Sequence, residues 1–317
     1  MNKTTTTPAW RENRERGALI GILVTAWAYR LLGRTVAESI LWFVVTYFFL
    51  TSKSSRQASF QFLRQMREFQ NLNRAPKWTD VHRHFIDFAK TSLDRMDVWT
   101  GNTSRYGYTF QGKEHLEQLV SSSQGALLFG AHFGNSDVLR ALPIPPETKV
   151  HFLTDQRGSK NFFSVLKRFC PRMLDGVHEY DPQRPEMVLS LKEAIERGEF
   201  VGLMADRIVS DQSRRSPRIL RIPFLGKSAI FPEAPFLFSV LLGCPILFIA
   251  GLRQTRWKYE LVVDPIGHPV GWGDAPRKER DEVIYQLASS YAKKLEKYCV
   301  RYPSQWFNFF DFWRTSS

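Results

Sequence analysis

From Gly125 onward, short apolar runs alternate with helical stretches, and this alternation constrains the fold of the 317-residue chain more than any other feature. Ala126 to Ala131, Lys149 to Leu153, Phe200 to Met204, Ile246 to Ala250 and Lys258 to Val263 read as strands. Ser159 to Phe169, Pro185 to Arg197, Phe231 to Leu242 and roughly Arg277 to Val300 read as helices. Strands separated by helices pair side by side in one direction, because each helix returns the chain to the edge where it started. The expected fold is therefore α/β, a mostly parallel central sheet covered by helices on both faces.

Ahead of the sheet, apolar residues recur at helical spacing from Gln57 to Trp99, as in Phe60, Leu63, Met66 and Phe69. Before them stand two apolar runs, Ala18 to Tyr29 and Ser39 to Thr51, each shorter than the about 20 residues a membrane span needs. Arg30, Arg34 and Glu38 interrupt what would otherwise be one long run. The expectation is a membrane-associated helical hairpin, interfacial or re-entrant, with a tilted span as the alternative. Trp27, Tyr29, Trp42 and Tyr47 would sit at headgroup level, and Arg11, Arg14, Arg16, Lys53 and Arg56 would meet anionic lipid. Residues 1–55 then form the membrane-associated part and residues 56–317 the α/β domain.

A formal charge of +13 gives the surface an affinity for anions, which leaves acidic lipid, an acidic carrier protein and nucleic acid open. Nucleic acid is disfavoured: no helix-turn-helix, KH, RRM or zinc pattern is present, and the N-terminal apolar runs would go unexplained. A non-catalytic lipid-binding protein is the other competing class. Cys170, Cys244 and Cys299 are widely spaced, which suits neither a disulfide framework nor a zinc ribbon. His82 and His84, two apart on a helix, point to different sides and make a poor metal pair. No metal or cofactor is expected.

The segment with most chemistry in it is Gly125 to Leu142, an apolar strand that ends at His132 and runs on into a helix starting near Asn135. Asn135 or Ser136 suits the N-cap, and Asp137 falls in the first turn. Gly134 lets the chain fold back, so that Asp137 can reach the imidazole, fix its tautomer and stabilise the imidazolium when the other nitrogen takes a proton. There is no GxSxG, and no cysteine has a neighbouring histidine or asparagine to activate it. Donors for an oxyanion would come from backbone N–H groups around Gly130 or the Gly226-Lys227 turn. Arg207, Arg214, Arg215, Arg218 and Arg221 form a basic run that is either a solvated face or a grip on phosphate or on an acidic carrier.

Several segments in order resemble the lysophospholipid acyltransferase superfamily, in its branch related to lipid A biosynthesis (lauroyl and myristoyl) acyltransferases. His132 and Asp137 match its motif of His, four residues, then Asp or Glu, here in the Asp form where lipid A enzymes usually have Glu. Val201 to Arg207 resembles the strand that ends in an acidic residue and Arg, and Ile222 to Ala229 the phenylalanine-x-glycine block. Phe231 to Ala234 is similar to the FPEG signature of glycerolipid members, with Ala234 in place of its glycine. Leu242 to Ile249 matches the closing Gly-x-Pro turn, and Gln305 to Trp313 resembles the ending of a bacterial branch; the likeness extends over residues 10 to 313.

This resemblance implies a membrane-associated acyltransferase at the cytoplasmic face of a bacterial inner membrane. It would move a fatty acyl group from an acyl carrier protein, or from acyl-CoA, to a hydroxyl of a lipid or glycolipid acceptor. His132 and Asp137 would be catalytic, and Asn135, Asp206, Arg207, Phe224, Gly226, Lys227 and Glu233 would contact substrate. For the aromatic tail, burial against the sheet and contact with the membrane both stand open.

Overall fold

The structure is a computed structural model and describes residues 18–142, 144–154, 176–179, 185–208, 218–272 and 275–313. The expected helix at Ser159 to Phe169, together with Cys170, Arg11, Arg14, Arg16, Arg214 and Arg215, lies outside them. The described helices are α1 (Ala18–Thr51), α2 (Lys53–Phe69), α3 (Trp78–Trp99), α4 (Lys113–Ser121), α5 (Pro185–Glu196), α6 (Ala234–Leu242) and α7 (Arg277–Arg301). The strands are β1 (Gly107–Gln111), β2 (Ala126–Gly130), β3 (Val150–Thr154), β4 (Val177–Glu179), β5 (Phe200–Met204), β6 (Ile219–Phe224), β7 (Lys227–Pro232), β8 (Ile246–Thr255) and β9 (Lys258–Gly267).

Seven strands form one mostly parallel sheet in the order β1-β9-β8-β2-β5-β3-β4. Only β8 and β9 run antiparallel, since they are joined directly as a hairpin. Strand β2 lies in the middle, parallel to both β5 and β8, and every one of its residues is buried. Its side chains alternate between two cores, as the period of two requires. Leu127 and Phe129 pack with Phe236 of α6 and Ile284 and Tyr291 of α7. Ala126 and Leu128 pack with Leu116 and Leu119 of α4 and with Val138.

Strands β6 and β7 form a separate antiparallel hairpin. Its two turn residues, Leu225 (φ 50°) and Gly226 (φ 77°), both lie in the left-handed region, as a tight two-residue turn demands. The helix expected from Phe231 starts only at Ala234, because Phe231 and Pro232 still belong to β7. The helix expected after Asn135 is a 3-10 helix of six residues, Ser136–Ala141.

Helix α1 is broken at Gly33, whose φ of 79° and ψ of 174° fit no helix. Beyond the break, Ala37, Leu41 and Val45 recur every four residues and turn inward, while Phe43, Tyr47 and Leu50 on the opposite side stay exposed. The 21-residue stretch Leu31–Thr51, with mean hydropathy 1.3, is long and apolar enough by length and composition to cross a membrane. The expectation that neither apolar run reaches that length is revised here, because Arg34 and Glu38 do not end the helix. Arg34 turns inward instead, bonded to Glu38 (2.8 Å), to the Tyr106 hydroxyl (2.7 Å), and to Asp94 and Asp97 of α3. It also lies 4.5 Å from the ring centroid of Trp257, in the β8–β9 turn. Arg253 adds a second cation, with Nε 3.2 Å from Asp94, and the Tyr259 hydroxyl donates to the same carboxylate.

Candidate active site

The register between β2 and β5 builds the site. Gly130 pairs with Met204 at the carboxyl ends of these two parallel strands. His132 and Asp206 each come two residues later, so the chain sets them side by side at the end of the sheet where open α/β folds bind ligands. His132 Nδ1 lies 2.8 Å from Asp206 Oδ1, and the His132 backbone N–H donates to Asp206 Oδ2 at 3.0 Å. The Trp306 indole N–H also donates to Oδ2, at 3.2 Å.

Burial opposes the charge on Asp206, whose side chain is 1% exposed. His132, Arg207 and the His132 backbone N–H outweigh that effect and hold its pKa down at about 2. Above that pH the carboxylate accepts only, which fixes the hydrogen of a neutral His132 on Nδ1 and leaves the lone pair on Nε2. Burial, and then the nearby Arg207 guanidinium, pull the pKa of His132 below its ordinary value against the opposite effect of Asp206. The imidazole is 38% exposed, so a reactant can reach it while its partner stays sealed beneath.

A family model described as bacterial lipid A biosynthesis acyltransferase matches residues 8–315. The chain belongs to that family. It is an acyltransferase, with an acyl donor and a lipid acceptor. A comparison with curated proteins gives no match.

In this acyltransferase the carboxylate at the imidazole is not Asp137, the residue expected there. Asp137 sits in the 3-10 helix, where Asn135 Oδ1 caps its backbone N–H (3.0 Å), and its side chain faces α3, 3.2 Å from Arg95 Nε. Gly134, at φ 63°, does turn the chain, but it turns it onto β8: the Asn135 N–H donates to Gly251 O at 2.8 Å. Asn135 itself is fully buried and caps the helix as anticipated.

Arg207 stands beside the pair, with one N–H donating to Phe307 O at 2.8 Å and its guanidinium 5.3 Å from the Phe310 ring centroid. Phe224, Gly226, Lys227 and Glu233 are assembled elsewhere, on the β6–β7 hairpin and the start of α6. Phe224 is buried among Trp306, Phe231, Phe312 and Trp313. Lys227 reaches Glu68 of α2 at 3.8 Å, and Glu233 holds Arg218 at 3.2 Å. Of these four, Phe224 packs on Trp306, whose indole N–H donates to Asp206.

Two residues that sequence reasoning passed over stand at the site. Trp306 is 1% exposed and ties the tail to Asp206, so burial describes the tail there and membrane contact does not. Arg95 was hidden among the other charges of α3. Its only sequence signal was helical position, on the turn after Thr91, whose side chain is buried. Cys244 and Cys299 are buried thiols whose pKa burial raises, that of Cys244 to about 12, so neither is a ready thiolate. An open cleft lined by Gln124, Glu196 and Cys244 lies at the opposite ends of β2 and β8, away from His132.

Proposed function

We propose that this acyltransferase moves a fatty acyl group from an acyl thioester to a hydroxyl of a lipid or glycolipid, with His132 as general base and Asp206 as the carboxylate that orients it. The 2.8 Å contact between His132 Nδ1 and Asp206 Oδ1 carries the reading. The acceptor hydroxyl gives its proton to Nε2 as its oxygen bonds to the thioester carbon. The tetrahedral intermediate then breaks its C–S bond, and the departing sulfur takes the proton from the imidazolium. A thiol of pKa about 8.5 is a good leaving group, so direct transfer needs no acyl-enzyme.

The donor we favour is an acyl carrier protein, with acyl-CoA as the alternative. Its acidic surface would meet a chain of net charge +13. Residues 1–55 are the part seated at the membrane, on the cytoplasmic face of the inner membrane, and residues 56–317 form the transferase domain, a sheet sheltered on both faces by helices. The exposed apolar side of α1, with Trp42, Phe43, Tyr47 and Leu50, supports that seating. Arg207, beside the dyad, is the substrate-binding residue we favour most.

The test uses full-length protein in lipid vesicles, given palmitoyl-acyl carrier protein or palmitoyl-CoA and a bacterial inner-membrane lipid extract. Thiol release and an acyl-mass increment on one lipid class are read together. His132→Ala and Asp206→Asn are each expected to lose at least about 100-fold in kcat while vesicle binding stays unchanged. Because the His132 pKa lies below the ordinary 6.5, the acid limb of the rate profile should fall below that value too. A His132→Ala protein that still transfers acyl groups at the wild-type rate ends the proposal.

A further inference from the structure

Attack on a thioester carbonyl places negative charge on its oxygen, and that oxygen needs a donor within hydrogen-bond reach. The backbone donors from His132 to Asn135 are already spent. The N–H of His132 goes to Asp206 (3.0 Å), that of Phe133 to Ala131 O (2.6 Å), that of Gly134 to Gln305 O (2.8 Å) and that of Asn135 to Gly251 O (2.8 Å). The Gly226 turn is engaged with α2 and α7: Gln65 donates to Leu225 O at 2.7 Å and the Leu225 N–H donates to Glu296 at 2.6 Å. Side chains offer further donors, and two guanidinium groups lower the pKa of His132, those of Arg207 and Arg95.

They are held differently. Arg207 is tethered to the tail through Phe307 O and the Phe310 ring. Arg95 comes from α3 to the residues that directly follow His132 in the chain: its NH2 donates to Ser136 Oγ at 3.3 Å, and its Nε lies 3.2 Å from Asp137 Oδ2. That second contact is an ion pair in which the N–H does not point at the oxygen, so the buried Nε–H has no hydrogen-bond partner; the Arg207 Nε–H is likewise unpaired, and what sets Arg95 apart is where it is held. Arg95 therefore combines a fixed position, a full charge, donors to spare and a side chain 31% exposed.

We infer that Arg95 is a further catalytic residue: its guanidinium, set in place by Ser136 and Asp137, donates to the oxyanion of the tetrahedral intermediate. The acid of the His-x4-Asp motif then works through an arginine, and the imidazole takes its carboxylate from Asp206. No bond to Arg95 forms or breaks; it supplies charge and N–H groups that match the oxygen better in the intermediate than in the planar thioester. This inference rests on His132 and Asp206 as the base and its partner.

In the same vesicle assay with palmitoyl-CoA, Arg95→Ala is expected to lower kcat by about 10²–10³-fold with little change in the donor KM. Added guanidinium ion should restore part of that loss, and should restore nothing to His132→Ala. Asp137→Asn should cost about tenfold alone and nothing further in the Arg95→Ala background, as expected of two residues that act as one unit. Asp206→Asn should remain fully additive with Arg95→Ala in the pH profile, because it moves the acid limb and Arg95→Ala does not. Should Arg95→Ala fold poorly by its melting curve, Arg95→Lys and Asp137→Asn carry the test. Wild-type kcat in Arg95→Ala, a loss confined to KM, or guanidinium rescue of Arg207→Ala alone overturns the inference while His132→Ala stays inactive. Activity in His132→Ala would instead remove the base on which it rests.

Discussion

His84 sits fully buried behind the His132–Asp206 pair, with Nδ1 2.7 Å from Ser59 Oγ and Nε2 2.9 Å from Trp306 O. A carbonyl only accepts, so Nε2 carries the hydrogen and Nδ1 accepts from the serine. Burial pulls its pKa from 6.5 down to about 4, against the smaller upward effect of the Trp306 carbonyl. The unfolded chain takes up a proton near 6.5 and the folded chain does not, so stability is whole above 6.5 and declines as pH falls from there towards 4. Below that window the loss should reach roughly 3 kcal/mol. Urea unfolding at pH values above and below 6.5 should show this acid loss in the wild type and a smaller one in His84→Asn; equal losses in both would sink it. Legibility at this scale was uneven. His132 stood out, because an imidazole closing an apolar strand is conspicuous. Its true partner lies 74 residues further on, and only the choice of neighbouring strands brings it near. No local spacing reveals that.

Among the elements, β2 and β5 could be read from sequence almost to the residue, since a run buried on both sides must be apolar throughout. The β6–β7 hairpin could not, because its tight turn is made by Leu225 in a left-handed conformation that nothing in a leucine announces. The loop after β2 is set by contact between backbones. A Cβ on Gly251 would stand 2.3 Å from Asn135 O and 2.4 Å from Val138 Cγ2, and one on Gly134 would stand 2.1 Å from Gly251 O at a positive φ. Gly134→Ala should therefore push the loop off β8, taking His132 with it. We expect a destabilisation of about 1–3 kcal/mol together with a drop in kcat larger than the stability loss explains. Thermal melting and the transfer assay, run on the same preparation, check this; an alanine variant with normal kcat would show that the loop tolerates the shift.

At the scale of the whole molecule, an apolar helix is fastened to the central sheet by charge. The interruptions at Arg34 and Glu38 that seemed to break α1 are its fastening: Arg34 meets Asp94, Asp97 and Tyr106, and Glu38 meets Arg256 of the β8–β9 turn at 2.8 Å. Removing the cation alone would leave two fully buried carboxylates short of a partner. Arg34→Met should then cost about 3–5 kcal/mol, and Arg34→Met with Asp97→Asn should recover part of it. Melting in detergent, with protease sensitivity of α1 as a second readout, tests this; an unchanged melting curve for Arg34→Met would mean the network does not fasten the helix.

The tail has a consequence in time. Phe307 N–H bonds to His132 O, Gln305 accepts from Gly134, and the Trp306 indole steadies Asp206. Strand β2 leaves the ribosome long before these residues do. A nascent chain thus carries both His132 and Asp206 through about the last third of synthesis without the brace that sets them, and that brace forms only after Trp306 has emerged and docked.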